Sequence, residues 1–307
     1  MRAMVYRRYG GPEVLEPAEL PEPKVGVDSV LVRVRAAALN PADAACQAGA
    51  LDASVETYFP VVPGWDIAGE VVRAGPGAPE FAPGDAVIGY IRGEVQRAHG
   101  GFAESVAADV RTLVHKPAGL GWTEAAGLPL AGLTAYQAVT HVLAPTAGET
   151  VLVHAAAGGV GSLAAQVAVA RGARVIGSAS PGNHPYLRSL GVEPVAYGPG
   201  LTDRVRALAP GGADAVMDAA GRGTLVATAG AARPGARVVS VAETGLPGVR
   251  THFCRLDHAD FTALAAMARE GRIAVRVGAV FPLERAADAQ RALAAGGVPG
   301  RVVVEIA

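Results

Sequence analysis

The 307-residue sequence is poor in cysteine and in long apolar runs, and each shortage excludes a class of protein. Its two cysteines, Cys46 and Cys254, are too few for a disulfide framework or a four-cysteine zinc site. No uninterrupted apolar run reaches the roughly 18 residues that a membrane-spanning helix needs. The charged N-terminus lacks the apolar segment of a signal peptide. A cytoplasmic protein without a membrane span is therefore predicted.

Excess charge of either sign is also missing. The sequence has 27 basic and 28 acidic residues, a formal net charge of -1, and only two lysines, Lys24 and Lys116. Without a basic run, neither nucleic acid nor an anionic membrane is expected as a partner. Half of the residues are apolar and 18% are charged, which is typical of a globular protein. The length is sufficient for two domains.

The pattern of apolar residues changes after about residue 117. Before it, short β-branched runs such as SVLVRVRAAAL, separated by turn signals, predict a compact and partly closed barrel. After it, a helical pattern running from Thr123 to Leu143 leads into alternating strands and helices, which indicates a parallel sheet covered by helices. The strands are predicted at 150–154, 173–177, 192–196, 213–218 and 236–241, and the helices at 160–171, 184–190, 201–209, 223–232 and 259–270, followed by one helix and one strand.

The most informative stretch is VLVHAAAGGVGSLAAQVAVARG, residues 151–172. A buried strand ends in a turn almost free of side chains, and a helix follows. Such a turn lets backbone amides approach a pyrophosphate at the helix N-terminus, as in dinucleotide-binding proteins. The alternative is a close strand–helix packing turn without a ligand. The residues expected to contact the cofactor here are Ala157, Gly158, Gly159, Val160 and Gly161.

The end of the next strand bears on the choice of cofactor. An NAD site would place an acidic residue there for the ribose hydroxyl, but the segment GSASPGNH, residues 177–184, contains none. Neutral donors on Ser178, Ser180, Asn183 and Tyr197 instead favour the 2′-phosphate of NADP(H). A polar loop that prefers neither cofactor is the alternative.

Several motifs together resemble the medium-chain dehydrogenase/reductase superfamily. HAAAGGVGSLAAQVA, LPLAGLTAYQAV, NPAD, VPGWDIAGEVV and PGRVVV occur in the family order, and the similarity is greatest to the zinc-independent quinone oxidoreductases, which are zeta-crystallin-like. The resemblance implies an α/β fold with a GroES-like β-rich catalytic domain at 1–117, completed by 272–307. A doubly wound Rossmann domain would span 118–271, with the active site in the cleft between the domains. The family also implies a homodimer.

The same resemblance indicates that no metal is bound. Zinc-dependent relatives would carry cysteine at Asn40 and histidine at Trp65, and Asp66 alone cannot hold zinc. Without a Lewis acid, reduction of a quinone or an α,β-unsaturated carbonyl by NADPH is expected rather than alcohol oxidation. Two alternatives remain, an enoyl reductase of a biosynthetic pathway and a non-catalytic, crystallin-like nucleotide-binding protein.

The resemblance also assigns roles to single residues. Asn40 and Thr134 are expected beside the nicotinamide. Tyr58 is a candidate proton donor, although it could equally be an aromatic lid packed on Phe59. His252 is expected to border the substrate or to lie at a sheet edge or subunit contact. The expected substrate contacts are Tyr58, Trp65, His252 and Phe253, and the further expected cofactor contacts are Ala242, Phe253 and Arg301.

Overall fold

The computed structural model describes residues 1–92 and 95–307, which form two compact units. The first unit consists of Met1–Leu130, Leu256–Arg269 and Val275–Ala307, and the second of Ala131–Arg255 and Glu270–Ala274. The predicted domains assign 118–130 and 256–269 to the Rossmann domain instead. These segments group with the first unit because the helix at Trp122–Ala126 packs on strands of that unit, and the helix at His258–Arg269 packs on the strand at Leu113–His115.

The described elements are as follows. The strands are β1 (Arg2–Val5), β2 (Glu16–Glu19), β3 (Ser29–Ala38), β4 (Glu56–Val62), β5 (Asp66–Ala74), β6 (Ala86–Tyr90), β7 (Val95–Ala98), β8 (Ser105–Asp109), β9 (Leu113–His115), β10 (Thr150–His154), β11 (Arg174–Ala179), β12 (Glu193–Ala196), β13 (Ala213–Asp218), β14 (Ala232–Ser240), β15 (Arg250–Thr251), β16 (Val277–Pro282) and β17 (Arg301–Glu305). The α-helices are α1 (Pro41–Gln47), α2 (Trp122–Ala126), α3 (Pro129–Gln137), α4 (Gly159–Ala170), α5 (His184–Ser189), α6 (Leu201–Leu208), α7 (Thr224–Ala227), α8 (His258–Arg269) and α9 (Ala286–Ala295).

The first unit is built on a seven-stranded sheet around β3. The strands follow the order β16-β17-β3-β5-β6-β9, and β8 also pairs with β3. The run of Val and Ala in β3 suits a central strand because nearly all of its side chains are buried. Val32, Ile67 and Phe102 belong to the core that this sheet encloses. The sheet carries Asn40 and Asp66 at the ends of neighbouring antiparallel segments, since Ala38 pairs with Asp66.

The second unit is built on a parallel six-stranded sheet with the order β12-β11-β10-β13-β14-β15. Its first strand in the chain, β10, lies near the middle and is buried along its whole length, as the apolar run TVLV predicts. Leu152, Ile176 and Val216 pack together in the core of this unit. Because β11 and β13 flank β10 on opposite sides, the direction of winding reverses there, and a ligand crevice is expected at the carboxyl ends of β10 and β13.

Several details of the predicted elements are wrong. The helix predicted at 223–232 ends at Ala227 and is followed by a short 3₁₀ turn at Ala229–Ala231, because β14 begins at Ala232. The helical pattern from Thr123 to Leu143 is divided by Pro129, which begins a new helix, and it ends in π-helical turns at Ala138–Leu143. The prediction also missed β16 and α1.

Within residues 1–92 and 95–307, no helix has the length and the apolar character needed to cross a bilayer.

Candidate cofactor-binding site

The turn between β10 and α4 brings the backbone of the helix start against the end of the strand. Ala155 takes a left-handed conformation with φ of 53°, and its carbonyl accepts a hydrogen bond from the Gly158 amide at 2.9 Å. A Cβ at Gly161 would lie 2.2 Å from that same oxygen, so only glycine fits there. The turn is also joined to β11, because the Ala156 amide donates to the Ser178 carbonyl at 3.0 Å.

Gly159, Val160 and Gly161 form the first turn of α4. Gly158 is the N-cap, and Ala157 precedes it. The first amides of an α-helix have no acceptor within the helix and carry a partial positive charge, which suits a pyrophosphate. The turn lies at the carboxyl end of β10, beside the reversal of strand order. The residues of the turn at Ala157–Gly161 therefore fit the pyrophosphate of a dinucleotide, and their contact with a cofactor stays a prediction.

A row of buried polar side chains lies beneath this edge, one at or near the end of each of four adjacent strands. In the sheet register His154 pairs with Asp218, and Asp218 pairs with Ser240. His154 Nδ1 is 3.2 Å from the Ser178 hydroxyl, and His154 Nε2 is 3.2 Å from that of Thr228. Burial lowers the pKa of His154 to about 4, although Asp218 opposes the shift, so its imidazole is neutral at pH 7.

Asp218 and Ser240 shape the two loops that follow their strands. Asp218 Oδ1 accepts the amides of Ala220 and Gly221, and its Oδ2 accepts the Ser240 hydroxyl at 2.7 Å. The Ser240 oxygen in turn accepts the amides of Ala242 and Glu243. Both loops at the β13–β14 side of the crevice are thus fixed by side chains buried in the sheet.

Of the four residues proposed to bind a 2′-phosphate, one is buried and three are accessible. Ser178 is buried and its hydroxyl contacts His154, so this side chain is turned into the protein. Ser180 and Asn183 lie half-buried beyond the end of β11, where Asn183 Nδ2 donates to the Ser180 hydroxyl at 3.0 Å. Tyr197 follows β12 and its side chain is 65% exposed. Ser180, Asn183 and Tyr197 are therefore the accessible donors, and none of them is acidic.

The first unit contains a buried charged cluster that combines three residues singled out from the sequence. Arg301 on β17 donates to Asp66 Oδ2 at 3.0 Å and to Asn40 Oδ1 at 2.9 Å. Asn40 Nδ2 also donates to Asp66 Oδ2 at 3.0 Å, and the Leu130 amide donates to Asp66 Oδ1 at 2.9 Å. Both functional ends of Asn40 are thus engaged, and the guanidinium of Arg301 is directed at Asp66 in the interior of the unit.

Asp43 closes the cluster through the N-terminus of α1. Its Oδ2 accepts the Asn40 amide at 2.8 Å in a capping box, while Oδ1 is buried and has no hydrogen-bond donor among the described residues. Burial raises the pKa of Asp43 to about 7, and the charge of Asp66 adds to the shift. Burial likewise raises the pKa of Asp66 to about 6, against the opposing effect of Arg301. The guanidinium of Arg301 therefore lies near two carboxyl groups, those of Asp66 and Asp43, whose pKa values are both raised.

These residues do not fit a zinc ion. A catalytic zinc needs three protein ligands, whereas Asn40 and Trp65 stand at two of the positions that carry ligands in zinc-dependent relatives. Asp66, which alone cannot hold zinc, is paired with the guanidinium cation of Arg301, whose charge would repel a metal. Among residues 1–92 and 95–307, no group of three or more His, Cys, Asp and Glu is arranged to hold a metal ion.

The other predicted site residues lie in varied surroundings. Thr134 is buried on α3, and Trp65 is half-buried with its ring 6.4 Å from that of Tyr90. Tyr58 is 60% exposed on β4, and its hydroxyl donates to Glu56 at 3.1 Å. Ala242 is exposed in the loop after β14, the His252 amide donates to the Ser240 carbonyl, and Phe253 is 74% exposed.

The sequence prediction missed the partners that hold these residues in place. The ion pair of Asp66 with Arg301 joins residues 235 positions apart, and no local pattern reports such a contact. The row formed by His154, Asp218 and Ser240 left a usable signal, since each is a polar residue ending an apolar strand of a parallel sheet. Residues at that position share one edge of the sheet.

We predict that Gly161→Ala destabilises the second unit and weakens nucleotide binding. The added Cβ must move the first turn of α4 away from Ala155, at a cost of about 1–3 kcal/mol or more of unfolding free energy. Chemical denaturation and NADPH titration measure both effects. Gly211→Ala is the control, because its Cβ would meet nothing within 4 Å and should change stability by less than about 0.5 kcal/mol. An unchanged unfolding free energy for Gly161→Ala would contradict the tight packing.

We predict that Asp43 makes the protein less stable as pH rises towards 7. Because the pKa of Asp43 is raised on folding, the folded state keeps a proton that the unfolded chain has released between about pH 4 and pH 7. The unfolding free energy should therefore fall by up to about 1.4 kcal/mol per pH unit over this range and level off above it.

Urea denaturation from pH 5 to pH 8 measures this slope, and Asp43→Asn should reduce it. The amide oxygen of asparagine can still accept the Asn40 amide, so the capping box is retained. Asp203→Asn removes an exposed carboxylate on α6 and is the control. Equal slopes in the wild type and Asp43→Asn would contradict the assignment.

Comparisons with known proteins agree with this architecture. A model of the alcohol dehydrogenase GroES-like domain matches residues 26–118, and a zinc-binding dehydrogenase model matches residues 190–304. The chain is 33% identical to an NADPH-dependent alkenal/one oxidoreductase of Arabidopsis thaliana chloroplasts, over 325 positions that cover 99% of this chain and 79% of the relative. A chloroplast envelope quinone oxidoreductase homolog of the same plant is 36% identical over 201 residues, or 64% of this chain, and the match spans only 60% of that relative's length.

A solved structure is similar over its entire length. The crystal structure of an NAD-dependent alcohol dehydrogenase superposes with a TM-score of 0.92 at 34% identity and covers 100% of both chains. The predicted fold class, a GroES-like domain with a Rossmann-type parallel sheet, is thereby confirmed. The chain belongs to the medium-chain dehydrogenase/reductase superfamily, and its relatives there include quinone oxidoreductases.

Proposed function

We propose that this protein is an NADPH-dependent oxidoreductase that transfers hydride to a quinone or an α,β-unsaturated carbonyl without the help of zinc. The observation that carries the proposal is the turn at Ala157–Gly161, where a helix N-terminus with three glycines meets the carboxyl end of β10 at the reversal of strand order. A nicotinamide nucleotide bound there would supply the hydride.

The preference for NADPH rests on the end of β11. Ser180, Asn183 and Tyr197 offer neutral donors for a 2′-phosphate, and each hydrogen bond to that charged group is worth about 1.5–3 kcal/mol. An acidic residue at this place would instead repel the phosphate. The name of the alkenal/one oxidoreductase of Arabidopsis thaliana specifies NADPH, whereas the name of the solved alcohol dehydrogenase specifies NAD. These two relatives differ in cofactor, so the preference for NADPH rests on the donors of this loop.

The cluster of Asn40, Asp66 and Arg301 supports the proposed type of acceptor. Zinc-dependent alcohol oxidation needs a Lewis acid beside the alkoxide, and a carboxylate paired with a guanidinium does not fit that ion. An electron-poor acceptor needs no such help, because hydride added to a quinone or an enone places the negative charge on an oxygen already conjugated to the reacting carbon. The protein then has to orient both partners, exclude water and deliver a proton.

Tyr58 is the proposed proton donor for enones. Its phenol is exposed, and its hydrogen bond to Glu56 raises the pKa of Tyr58, so the hydroxyl stays protonated at neutral pH. Reduction of an enone requires a proton at the carbon next to the carbonyl, whereas a reduced quinone can take up protons on its oxygens from water. Asn40 and Arg301 serve this function as a buried framework. The expected homodimer and cytoplasmic location stay predictions.

The main test follows the absorbance of NADPH at 340 nm in two assays. NADPH is mixed with a panel of quinones and enones, and NADP⁺ is mixed with simple alcohols. We expect turnover of quinones or enones, none of the alcohols, and a lower KM for NADPH than for NADH. Addition of 1,10-phenanthroline should leave the rate unchanged. Oxidation of alcohols that phenanthroline abolishes would contradict the proposal, and so would binding of NADPH without turnover of any acceptor.

The second test replaces the phenol of Tyr58 while keeping its ring. Tyr58→Phe should lower kcat with an enone by about 100- to 10,000-fold, the range that general acid catalysis contributes, and leave quinone reduction within about twofold. The quinone rate is the control for folding and cofactor binding in the same variant. Equal rates with both acceptors before and after the change would remove Tyr58 from proton transfer.

A further inference from the structure

The loop after β14 contains a carboxylate oxygen that the fold itself does not use. Glu243 Oε1 accepts the Gly223 amide at 2.7 Å, which joins the loops that follow β13 and β14. The other oxygen, Oε2, is buried, and within the described part of the chain no donor reaches it. A buried acceptor left without a donor costs free energy, so such an atom in a native fold is open to a donor from ordered water, an ion or a ligand.

The position of Glu243 is fixed on three sides. Its amide donates to the Ser240 hydroxyl at 2.9 Å, and Ser240 is held by Asp218. Gly221, with φ of +64°, approaches so closely that a Cβ there would lie 3.1 Å from that of Ala242 and 3.5 Å from Glu243 Cγ. The carboxylate is therefore held in one place before any ligand arrives.

Glu243 and the proposed donors to the 2′-phosphate lie on opposite sides of the crevice. In a doubly wound sheet the dinucleotide crosses the reversal of strand order, with its adenosine half over the strands on one side and its other half over those on the other. Ser180 and Tyr197 follow β11 and β12, on the adenosine side. Glu243 follows β14, so it faces the nicotinamide half.

We propose that Glu243 is a positioning residue whose carboxylate accepts a hydrogen bond from the nicotinamide nucleoside, through either the carboxamide N–H₂ or a ribose hydroxyl. The inference rests on the proposed nicotinamide cofactor and adds the group that orients its reactive end. The N–H and O–H donors of this half match an unused anionic acceptor, whereas its phosphates would be repelled by it. The bond would hold the ring in one orientation without taking part in hydride transfer.

The test compares Glu243→Gln with the wild type by titration of three ligands. Glutamine can keep the Gly223 bond through its amide oxygen but presents a donor where Oε2 stood. We expect binding of NADPH to weaken by about 10- to 100-fold, as loss of a charge-assisted hydrogen bond implies. Binding of adenosine 2′,5′-bisphosphate, which lacks the nicotinamide half, should stay within about twofold.

The third ligand, the reduced 3-acetylpyridine analogue of NADPH, distinguishes the two donors because it has no carboxamide N–H₂. If that group is the donor, the wild type binds the analogue more weakly than NADPH, and Glu243→Gln removes the difference. If a ribose hydroxyl is the donor, the variant loses affinity for NADPH and the analogue alike but not for the bisphosphate. Either result supports the proposal.

Glu193→Gln removes a carboxylate from the opposite, amino end of the sheet, at the start of β12, and controls for the change in charge. Equal weakening of all three ligands by Glu243→Gln, or no weakening of any, would overturn the role of Glu243 while leaving the proposed function intact. Failure of the wild type to bind NADPH or NADH would instead overturn the proposed function.

Discussion

The distance between Ala155 and the start of α4 is the constraint on which the second unit depends. A helix can begin this close to the strand before it only if the residue facing the Ala155 carbonyl has no Cβ, and Gly161 meets that requirement. The close approach points the first amides of α4 at the carboxyl edge of the sheet. It also explains the buried alanines that follow on α4, since small side chains keep the helix close to the strands.

Two buried polar systems support the chemistry, and they differ in character. In the second unit, the imidazole of His154 is neutral, and the side chains of Asp218 and Ser240 are hydrogen-bonded. The hydrogen bonds of Asp218 and Ser240 fix the loops of the crevice. In the first unit, Arg301 brings a permanent charge into the interior and is compensated by Asp66, with Asp43 nearby. Removing one partner of such a pair costs far more than the pair itself contributes, because a lone buried charge remains. The cluster therefore acts as a framework for Asn40.

The sequence predicts repetitive features well and contacts between distant residues poorly. The strand, glycine turn and helix at 150–171 follow from local rules, because glycine tolerance and apolar period are properties of neighbouring residues. The same rules misjudge the segment after Gly223, where β14 starts earlier than the pattern indicates. The cofactor role of Asn40 and Arg301 comes from the resemblance to the family and stays a prediction. Only the fold reveals that these side chains turn inward to Asp66, 26 and 235 residues away in the chain.

Binding of a nicotinamide nucleotide with its pyrophosphate at the turn Ala157–Gly161 is tested most directly by a crystal structure of the protein grown with NADPH. We expect density for the pyrophosphate within hydrogen-bond distance of the amides at the start of α4, with the 2′-phosphate beside Ser180 or Tyr197. A nucleotide bound elsewhere, or a turn that stays empty at saturating NADPH, would contradict it.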